Sequence, residues 1–488
     1  MTPHNHFLAI DAGGSSVKSA VVSRATGQVV ALARLDYRTT HPGPGMVEFD
    51  PRVWWDTIQQ SAARAIALAE DTDVDAVICT GMRIPFVLID AAGDEVRPGI
   101  LNHDRRGLEM LDVVRSAGQD ELYARTGHWP APEFGVAKVA WLVVHEPESI
   151  ASATHILQFH DWLVFRLSGA VISEPSSAAM SGLIDLRTGS WAIDIIEAIG
   201  ADAGKFPELT RSGTPVGTLR DSVADAIGLR RGVTVYAGGG DTHMSCLGVD
   251  GANPGDVTVV AGSTTPVMLT AEEPLRDDNY APVVSPHIRP NHWAIETNAG
   301  ATGIRLTWLR NCLRDMGLDQ LSYEDIIRRG EASPMGANGL FAVAGDPGWG
   351  EAAWLATPPG AIVGLTSTHS VADISRAILE GSTVATTAQI DRVEAVLGNP
   401  VQRVRVTGGA TRSSFWCQLL ADMSGRKIEV ARIDEPFTRA AAMLLSDDVA
   451  SIDEVPVSIF EPVADQHEQL RGVRERYIEQ FEALREVA

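Results

Sequence analysis

The chain has 488 residues, of which 45% are hydrophobic and 21% are charged, so a largely disordered protein is excluded. At roughly 100–200 residues per domain, this length favours two or three domains. The 63 acidic and 40 basic residues give a formal net charge of −23, which disfavours nucleic acid and anionic membranes as partners.

Targeting signals and metal-binding spacings are not visible in the sequence. No run of about 18 uncharged apolar residues occurs, and the first residues lack the pattern of a signal peptide, so we expect a cytoplasmic protein without a membrane span. The four cysteines are widely spaced and show no Cys/His metal-binding pattern, which predicts reduced, mostly buried thiols. They are Cys79, Cys246, Cys312 and Cys417.

The first 70 residues predict an antiparallel meander followed by a helix. Short apolar runs separated by turn residues indicate three strands. These strands are His6–Asp11, Val17–Ser23 and Gln28–Leu35. Asp50 and Pro51 form a helix start, and apolar residues then recur at helical spacing to about Glu70.

Strands and helices alternate from there, which predicts an α/β fold. We expect strands at Ala76–Thr80 and Phe86–Asp90, and helices at 106–117, 136–146 and 159–168. The second half repeats the opening pattern of an apolar strand followed by a glycine turn. The repeats follow Val233–Ala237, Val257–Ala261 and Val404–Thr407. This recurrence predicts two similar halves that divide near 245–255, with the active cleft between them. The segment 464–488 reads as a charged amphipathic helix.

The first chemical motif is the acid Asp11 followed by the turn Gly13–Ser16 and by Lys18. Glycines allow backbone N–H groups to approach phosphate oxygens, hydroxyls and a lysine add donors, and a carboxylate can hold Mg²⁺. The motif therefore suits a magnesium–phosphate site. A simple hairpin turn capped by aspartate is the alternative, and no Walker loop occurs in the chain.

The second motif places Asp241 directly after three glycines, Gly238–Gly240. With so little side-chain bulk around it, this carboxylate could take a proton from a substrate hydroxyl. An N-cap of the following helix is an equally plausible interpretation.

Two further groups are less specific on their own. Small-residue loops at Gly262–Thr265, Asn298–Gly303 and Gly408–Ser413 follow apolar strands; the last suits a flat adenosine group, and each could be an ordinary turn. Polar residues of the first half could bind sugar hydroxyls, although Asp104 with its two arginines could also be a solvated turn. They are Arg83, Asn102, His103, Asp104, Arg105, Arg106 and Glu133.

Taken in chain order, these motifs resemble those of the FGGY carbohydrate kinases, which belong to the superfamily of sugar kinases, actin and heat-shock chaperones. The resemblance covers nearly the whole chain. It rests on DAGGSSVK at 11–18, EFDP at 48–51 with Trp54-Trp55, NHDRR at 102–106, GGGDTH at 238–243, AGSTT at 261–265, WLR at 308–310, AILEG at 377–381 and TGGATRSSFWCQLLADMSG at 407–425.

This resemblance implies two ribonuclease-H-like (actin-like ATPase) domains with a central cleft, in which ATP, Mg²⁺ and a small sugar meet. The domains would be 1–247 and 248–488, and the final helix 464–488 would pack back on the first domain. As partners we expect the sugar and ATP, with neither nucleic acid nor membrane, and with a homodimer left open.

The resemblance also implies roles for individual residues. Asp241 matches the catalytic base and a contact to substrate and metal, and Asp11 matches the acid near Mg²⁺. The implied substrate-binding residues are Arg83, Asp104 and Glu133, in addition to Asp241. The implied nucleotide-binding residues are Gly13, Gly14, Ser15, Ser16, Lys18, Gly262, Ser263, Thr264, Gly303, Gly408, Gly409, Ala410 and Ser413.

Several positions depart from the family patterns and leave the substrate open. Met82-Arg83-Ile84 fits neither xylulokinase-like nor glycerol kinase-like members, Asn102 replaces a usual tryptophan, and Glu133 replaces the tyrosine of glycerol kinases. A ketose or polyol is the leading expectation. Arg83 and Arg105 together would suit an acidic sugar such as an aldonate, and a non-catalytic sugar sensor or actin-like nucleotide switch is the remaining alternative. Arg439 stands where a glycine is usual, which the sequence does not explain.

Overall fold

The computed structural model describes residues 6–70, 72–118, 121–277, 282–300, 302–318, 320–343, 360–446, 452 and 454–485. Its strands are β1 (His6–Ala12), β2 (Ser16–Ser23), β3 (Val29–Asp36), β4 (Glu48–Phe49), β5 (Val74–Gly81), β6 (Phe86–Ile89), β7 (Gly99–Ile100), β8 (His155–Gln158), β9 (Ile184–Asp185), β10 (Ser190–Trp191), β11 (Pro215–Thr218), β12 (Thr234–Gly240), β13 (Asp256–Val260), β14 (Pro266–Ala271), β15 (Val283–Pro286), β16 (Trp293–Asn298), β17 (Phe341–Val343), β18 (Ala361–Val363), β19 (Arg403–Thr407), β20 (Ile428–Ala431) and β21 (Val457–Phe460).

The α-helices are α1 (Pro51–Leu68), α2 (Leu111–Gly118), α3 (Leu122–Thr126), α4 (Gly135–His145), α5 (Pro147–Ser152), α6 (Phe159–Ser168), α7 (Pro175–Ala178), α8 (Ile193–Ala198), α9 (Asp221–Ile227), α10 (Asp241–Gly248), α11 (Thr302–Asp315), α12 (Tyr323–Ala332), α13 (Val371–Leu397), α14 (Ser414–Ser424), α15 (Pro436–Leu445) and α16 (Ala464–Arg485). Short 3₁₀ helices lie at Arg106–Met110, Ala179–Ser181, Ala203–Lys205, Ala337–Gly339 and Gly409–Arg412. Within the described residues, none of the helices combines the length and apolar character needed to cross a membrane.

Two large sheets form the two halves of the molecule and share a five-strand core, β3-β2-β1-β5-β12 in the first and β16-β14-β13-β19-β20 in the second. The first has the order β11-β12-β5-β1-β2-β3, and the second has the order β15-β16-β14-β13-β19-β20-β21. In each sheet three adjacent strands are parallel, β12-β5-β1 and β13-β19-β20, and antiparallel strands flank them. The predicted α/β fold with two similar halves is therefore confirmed.

The predicted opening meander and its helix are present because their signals are local. Asp50 caps α1, since its Oδ1 accepts the backbone N–H of Arg52 at 2.9 Å, and Pro51 occupies the first turn. The buried face of α1 includes Trp54 and Ile58, which join the core beneath the first sheet.

The final helix packs differently from our expectation. Three buried residues of α16, Leu470, Val473 and Tyr477, belong to the core of the second half. The element that returns to the first half is α15, whose Phe437 and Ala440 share a core with residues of β1 and α10. Small side chains make this close approach possible: a Cβ on Gly248 would lie 2.0 Å from the carbonyl oxygen of Pro436. Residues 486–488 of the predicted helix lie outside the described part.

The structure gives Arg439 a role at the connection between the halves. Its Nη1 donates to Asp250 Oδ1 at 2.7 Å, and Asp250 itself has a φ of 57°, in the left-handed region. Arg403 Nη2 donates to the carbonyl oxygen of Asp250 at 2.6 Å, and Arg405 Nη1 donates to that of Val249 at 2.6 Å. The arginine in α15 therefore ties the returning helix to the connecting segment.

Candidate active site

The two acids singled out in the sequence lie at the same edge of the first sheet. In the parallel ladder Asp11 pairs with Thr80, and Gly240 pairs with Gly81. Asp11 and Asp241 therefore come at the carboxyl ends of strands two positions apart, which places their backbones about 10 Å from each other. Their charges interact, because the charge of Asp241 contributes to raising the pKa of Asp11. Both acids thus lie at one edge of the first sheet, close enough for the charge of Asp241 to act on Asp11.

The pKa of Asp11 is strongly perturbed. Burial and the charge of Asp241 raise its pKa to about 7, against the opposing effect of Lys18. The turn after it is closed by the Gly13 N–H, which donates to the carbonyl oxygen of Ser16 at 3.0 Å, and Gly14 and Ser15 are exposed. Lys18 Nζ contacts Glu435 Oε2 at 2.6 Å, so its charge is shared with the residue before α15.

Tyr37 belongs to this site, although no sequence motif pointed to it. Its hydroxyl is buried without a hydrogen-bond partner among the described residues, and its ring stacks on Trp54 with centroids 4.0 Å apart. Burial and the charge of Asp11 raise the pKa of Tyr37. The backbone N–H of Tyr37 donates to the carbonyl oxygen of Ser15 at 3.0 Å, which fixes the tyrosine to the glycine turn.

The three glycines before Asp241 lie in the last part of β12 and do not form the predicted turn; close packing requires glycine there. A Cβ on Gly238 would lie 1.8 Å from the Cys79 carbonyl oxygen, and one on Gly240 would lie 2.5 Å from Arg83 Cδ. We expected the glycines to clear space for a substrate; the observed contacts show that neighbouring strand and side-chain atoms occupy much of it.

A polar relay that the sequence did not indicate fixes the end of β12. The Gly240 N–H donates to Ser176 Oγ at 3.1 Å, and Ser176 Oγ donates to Glu174 Oε2 at 2.6 Å. Glu174 and Ser176 are themselves buried. The relay therefore sets the backbone that carries the next residue, Asp241.

Asp241 is the first residue of α10, and its carboxylate remains accessible. The N-cap is Gly240, so the alternative of Asp241 as a capping residue is wrong. Its Oδ1 accepts the Thr242 N–H at 2.7 Å and lies 3.4 Å from Arg83 Nε, while 41% of the side chain is exposed. Burial raises the pKa of Asp241, and the positive charge of Arg83 opposes this.

Arg83 links the two halves. Its Nη1 donates to Glu296 Oε2 at 2.6 Å, and its Nη2 donates to Glu296 Oε1 at 2.8 Å and to Thr242 Oγ1 at 2.8 Å. Glu296 lies on β16 of the second half. Sequence reasoning missed Glu296, although a lone acid within the apolar strand WAIETN was a detectable signal.

Asp104 is enclosed by protein and does not face an open pocket. Its Oδ2 accepts the Val47 N–H at 2.6 Å, its Oδ1 accepts the backbone N–H and the Nε of Arg106 at 2.9 Å each, and the side chain is completely buried. Burial alone would raise its pKa, yet the hydrogen bonds from Arg106 and Val47 prevail and lower it. The carboxylate that we expected to face a sugar hydroxyl instead holds the loop around it, and Asp104 is not the solvated turn of the alternative.

Two other polar residues of the first half, Arg105 and Glu133, are less enclosed than Asp104. We call this pair the open wall. Arg105 Nη1 lies 3.8 Å from Glu133 Oε1, and 43% of the arginine side chain is exposed. Buried Lys138 donates to the carbonyl oxygens of Leu101 and Asn102 at 2.6 and 2.9 Å, and burial lowers its pKa to about 7. Lys138 thereby supports the segment that presents Arg105.

The glycine loops of the second half lie together at the carboxyl ends of β13 and β19. The Gly303 N–H donates to the Ser263 carbonyl oxygen at 3.1 Å, and a Cβ on Gly303 would lie 2.2 Å from the carbonyl oxygen of Gly262. Gly408, with a φ of 98°, packs against Ala261, since a Cβ there would lie 2.6 Å from the Ala261 carbonyl oxygen. The three loops therefore form one surface.

The tips of these loops differ in what they leave open. Ser263 and Thr264 are exposed, and among the described residues no atom lies within 4 Å of a Cβ built on Gly409. The Ala410 N–H is directed inward and donates to the Ala261 carbonyl oxygen at 3.1 Å. Ser413 caps α14, because its Oγ accepts the Trp416 N–H at 3.1 Å.

Comparisons with known proteins agree over nearly the whole chain. The family model of the N-terminal domain of FGGY carbohydrate kinases matches residues 6–248, and that of the C-terminal domain matches residues 257–446. YoaC of Bacillus subtilis is 28% identical over 434 residues, which cover 88% of this chain and 87% of YoaC. The autoinducer-2 kinase of Salmonella typhimurium is 26% identical over 461 residues, covering 91% and 86%.

The solved structures show the same fold. The ligand-bound xylulose kinase of Lactobacillus acidophilus superposes with a TM-score of 0.87 at 19% identity, covering 98% of each chain. At this level of identity the likeness concerns the fold alone.

Proposed function

The chain belongs to the FGGY family of carbohydrate kinases, and we propose that it transfers the γ-phosphoryl group of ATP to a hydroxyl of a small neutral sugar, a ketose or a polyol. It is a phosphotransferase with an alcohol group as acceptor. The observation that carries the proposal is the pair Asp11 and Asp241, which lie at the carboxyl ends of β1 and β12 on the same edge of the first sheet.

Asp241 is the proposed general base. Its side chain is 41% exposed and accepts a short hydrogen bond only from its neighbour's N–H, so one oxygen is left for a substrate hydroxyl. Burial raises its pKa toward the range in which a carboxylate accepts a proton efficiently. Asp241 would orient the hydroxyl for attack on the γ-phosphate and take up its proton as the new P–O bond forms.

The donor set suits Mg²⁺. Within the described chain, no cluster of three or more His, Cys, Asp or Glu side chains could hold a metal ion by itself. Mg²⁺ is typically held by one or two carboxylates together with phosphates and water, and Asp11 and Asp241 would provide those carboxylates. When bound, the ion would neutralise phosphate charge. Burial and, after it, the charge of Asp241 raise the pKa of Asp11, and a bound cation would offset both effects.

The glycine loops are the proposed ATP site. Exposed turns at Gly13–Ser16 and at Gly262–Thr264, with Gly303 behind the second, would hold phosphates through backbone N–H groups, while Lys18 and Glu435 lie beside the first. The open surface at Gly408–Ala410, backed by Ser413, would receive the adenosine. We assign the domains as 1–247 and 248–488, and we expect them to close on the sugar so that water is excluded from the cleft.

Arg83 favours a neutral substrate over an aldonate. Both of its terminal nitrogens already donate to Glu296, so it has no free pair of donors for a substrate carboxylate. Arg105 and Glu133 would bind sugar hydroxyls at the open wall, with Asp104 supporting them from behind. The names of the relatives include different substrates, so none is transferred to this chain.

A substrate screen tests the proposal. The purified chain is incubated with MgATP and single members of a panel of ketoses, polyols and aldonates, and ADP and sugar phosphate are quantified together. We expect at least one ketose or polyol to give equal amounts of both products, with little ADP when sugar is omitted. Turnover confined to aldonates would contradict the neutral-substrate assignment. ADP formation that no sugar stimulates would contradict the kinase activity itself.

A further inference from the structure

We infer that Glu296, on the far side of the cleft from the first sheet, is a specificity-determining and positioning residue: it holds Arg83 beside Asp241 and denies its guanidinium to acidic substrates. This inference rests on the proposed function, since it assigns the substrate class of the same site. No motif at Glu296 suggested it, and the two partners are 213 positions apart in the chain.

The contact has the geometry of a specific pair. Two parallel N–H···O bonds of 2.6 and 2.8 Å join the guanidinium to the carboxylate, and only 9% of either side chain is exposed. A bidentate arrangement fixes the plane of the guanidinium, which a single contact does not. A further hydrogen bond fixes the guanidinium of Arg83, because Nη2 also donates to Thr242 Oγ1 at 2.8 Å.

The surroundings hold Arg83 in this position. Gly240 leaves room for its aliphatic part, which lies 2.5 Å from where a Cβ would be. Its Nε lies 3.4 Å from Asp241 Oδ1, a long contact that orients the carboxylate without a short hydrogen bond. Glu296 thus draws the guanidinium toward the second half, and Asp241 keeps an oxygen free for a substrate.

The charges explain the consequence for substrate choice. One arginine faces two carboxylates, Glu296 and Asp241, so this part of the wall carries no surplus positive charge. A substrate carboxylate would have to displace Glu296 from a nearly buried pair, which leaves an unpaired acid behind. A neutral sugar needs only a hydrogen-bond acceptor at Asp241 and meets no such obstacle.

Replacing Glu296 with glutamine should therefore change selectivity. The amide retains the shape, but it offers only one acceptor to Arg83 and no charge. The guanidinium then has a donor and its full charge available for an acidic ligand. It also pairs more closely with Asp241, which makes that carboxylate a weaker proton acceptor and lowers kcat for neutral substrates.

The test compares Glu296→Gln with Glu95→Gln as the matched control. Glu95 is also a nearly buried acid bound to an arginine, Arg166, at 2.9 Å, but both of its partners, Arg166 and Trp162, lie on α6 of the first half. We expect Glu296→Gln to lower kcat for the neutral substrate about tenfold and to tighten gluconate binding about tenfold by calorimetry. Glu296→Asp should restore much of the wild-type selectivity, and Arg83→Gln combined with Glu296→Gln should abolish the gain in gluconate binding.

The outcomes separate this inference from the proposed function. If Glu296→Gln binds gluconate no better than the wild type and only unfolds at a lower temperature, the inference is overturned and Glu296 is structural. The inference is overturned as well if Glu95→Gln shifts acid binding equally. If the wild type phosphorylates no sugar, the proposed function fails, while the calorimetric comparison with gluconate still decides whether Glu296 keeps Arg83 from anions.

Discussion

Two clusters in the first half combine an aspartate with an arginine, and they behave in opposite ways. Asp104 is completely buried, accepts hydrogen bonds from Arg106 and Val47, and has a lowered pKa. Asp241 is 41% exposed, lies 3.4 Å from Arg83, and has a raised pKa. A nearby arginine alone therefore does not determine the role of an acid. Its role depends on how many hydrogen-bond donors are directed at its carboxylate, because those donors determine which protonation state the fold stabilises.

This comparison predicts stability changes of opposite sign. A lowered pKa means that folding favours the carboxylate, so a neutral amide at the same place destabilises the protein at pH values above the normal pKa. A raised pKa means that folding disfavours the charge, so the amide is neutral or stabilising there. The effect on activity should be the reverse: the amide substitution of Asp241 should reduce turnover more than that of Asp104. The charge of Asp241 is disfavoured by folding and is therefore left available for chemistry.

The largest expected effect is on turnover in Asp241→Asn. Without the carboxylate no side chain accepts the proton of the substrate hydroxyl, and kcat should fall by roughly 10²–10⁴-fold. The unfolding temperature should not decrease, because an amide oxygen can still accept the Thr242 N–H and the charge is removed. Steady-state kinetics and calorimetric melting at pH 8 measure both. Turnover within threefold of the wild type would remove Asp241 from the role of base.

The second effect is on stability in Asp104→Asn. The amide cannot satisfy both the Val47 N–H and the Arg106 guanidinium, and buried Arg106 then relies on Glu48 for its charge partner. We expect a loss of about 3 kcal/mol in the free energy of unfolding. At a temperature where the variant is folded, kcat should stay within a few-fold of the wild type.

Denaturant titration and kinetics at 15 °C test this assignment of Asp104. A variant as stable as the wild type but with a greatly raised KM for sugar would reverse it. Asp104 would then be a substrate ligand, as its position in the family motif first implied.

The sequence predicted the elements that depend on local signals. The turn after β1 and the Asp50–Pro51 helix start each carry their signal within a few residues, and they occur where expected. The glycine turn predicted before Asp241 is wrong, because Gly238–Gly240 continue β12 up to the start of α10. The topological repeat could also be anticipated, because the same strand-and-glycine pattern recurs in both halves.

Contacts between distant residues could not be predicted in this way. Glu296 on β16, Tyr37 after β3 and Ser176 in α7 are brought to the site by the tertiary fold, and no spacing rule connects them to Arg83, Asp11 or Gly240. Asp104 shows the converse problem. Its arginine partner was visible two residues away, but burial of the pair depends on the Val47 segment, which packs from 57 positions away.

The smallest expected effect concerns Asp11 and extends the comparison to pH. Its pKa is raised from 3.8 to about 7 by burial and by Asp241. Because the folded chain holds this proton more tightly than the unfolded chain, the wild type loses stability as the pH rises from about 4 to about 7, and the loss is constant above that.

Asp11→Asn removes this dependence of stability on pH. The stability gain of the variant should therefore be small at pH 4.5, roughly a quarter of its final value, and reach about 2 kcal/mol at pH 8, a value below the full shift because Asp11 is partly exposed to solvent. Denaturant unfolding of the ligand-free protein at both pH values measures it, with Asp225→Asn as an exposed control whose acid pairs with Arg231 at the surface. A stability gain that is equal at both pH values would show that folding does not disfavour the charge of Asp11. A loss of stability at pH 8 would place Asp11 with Asp104 among the acids whose charge the fold stabilises.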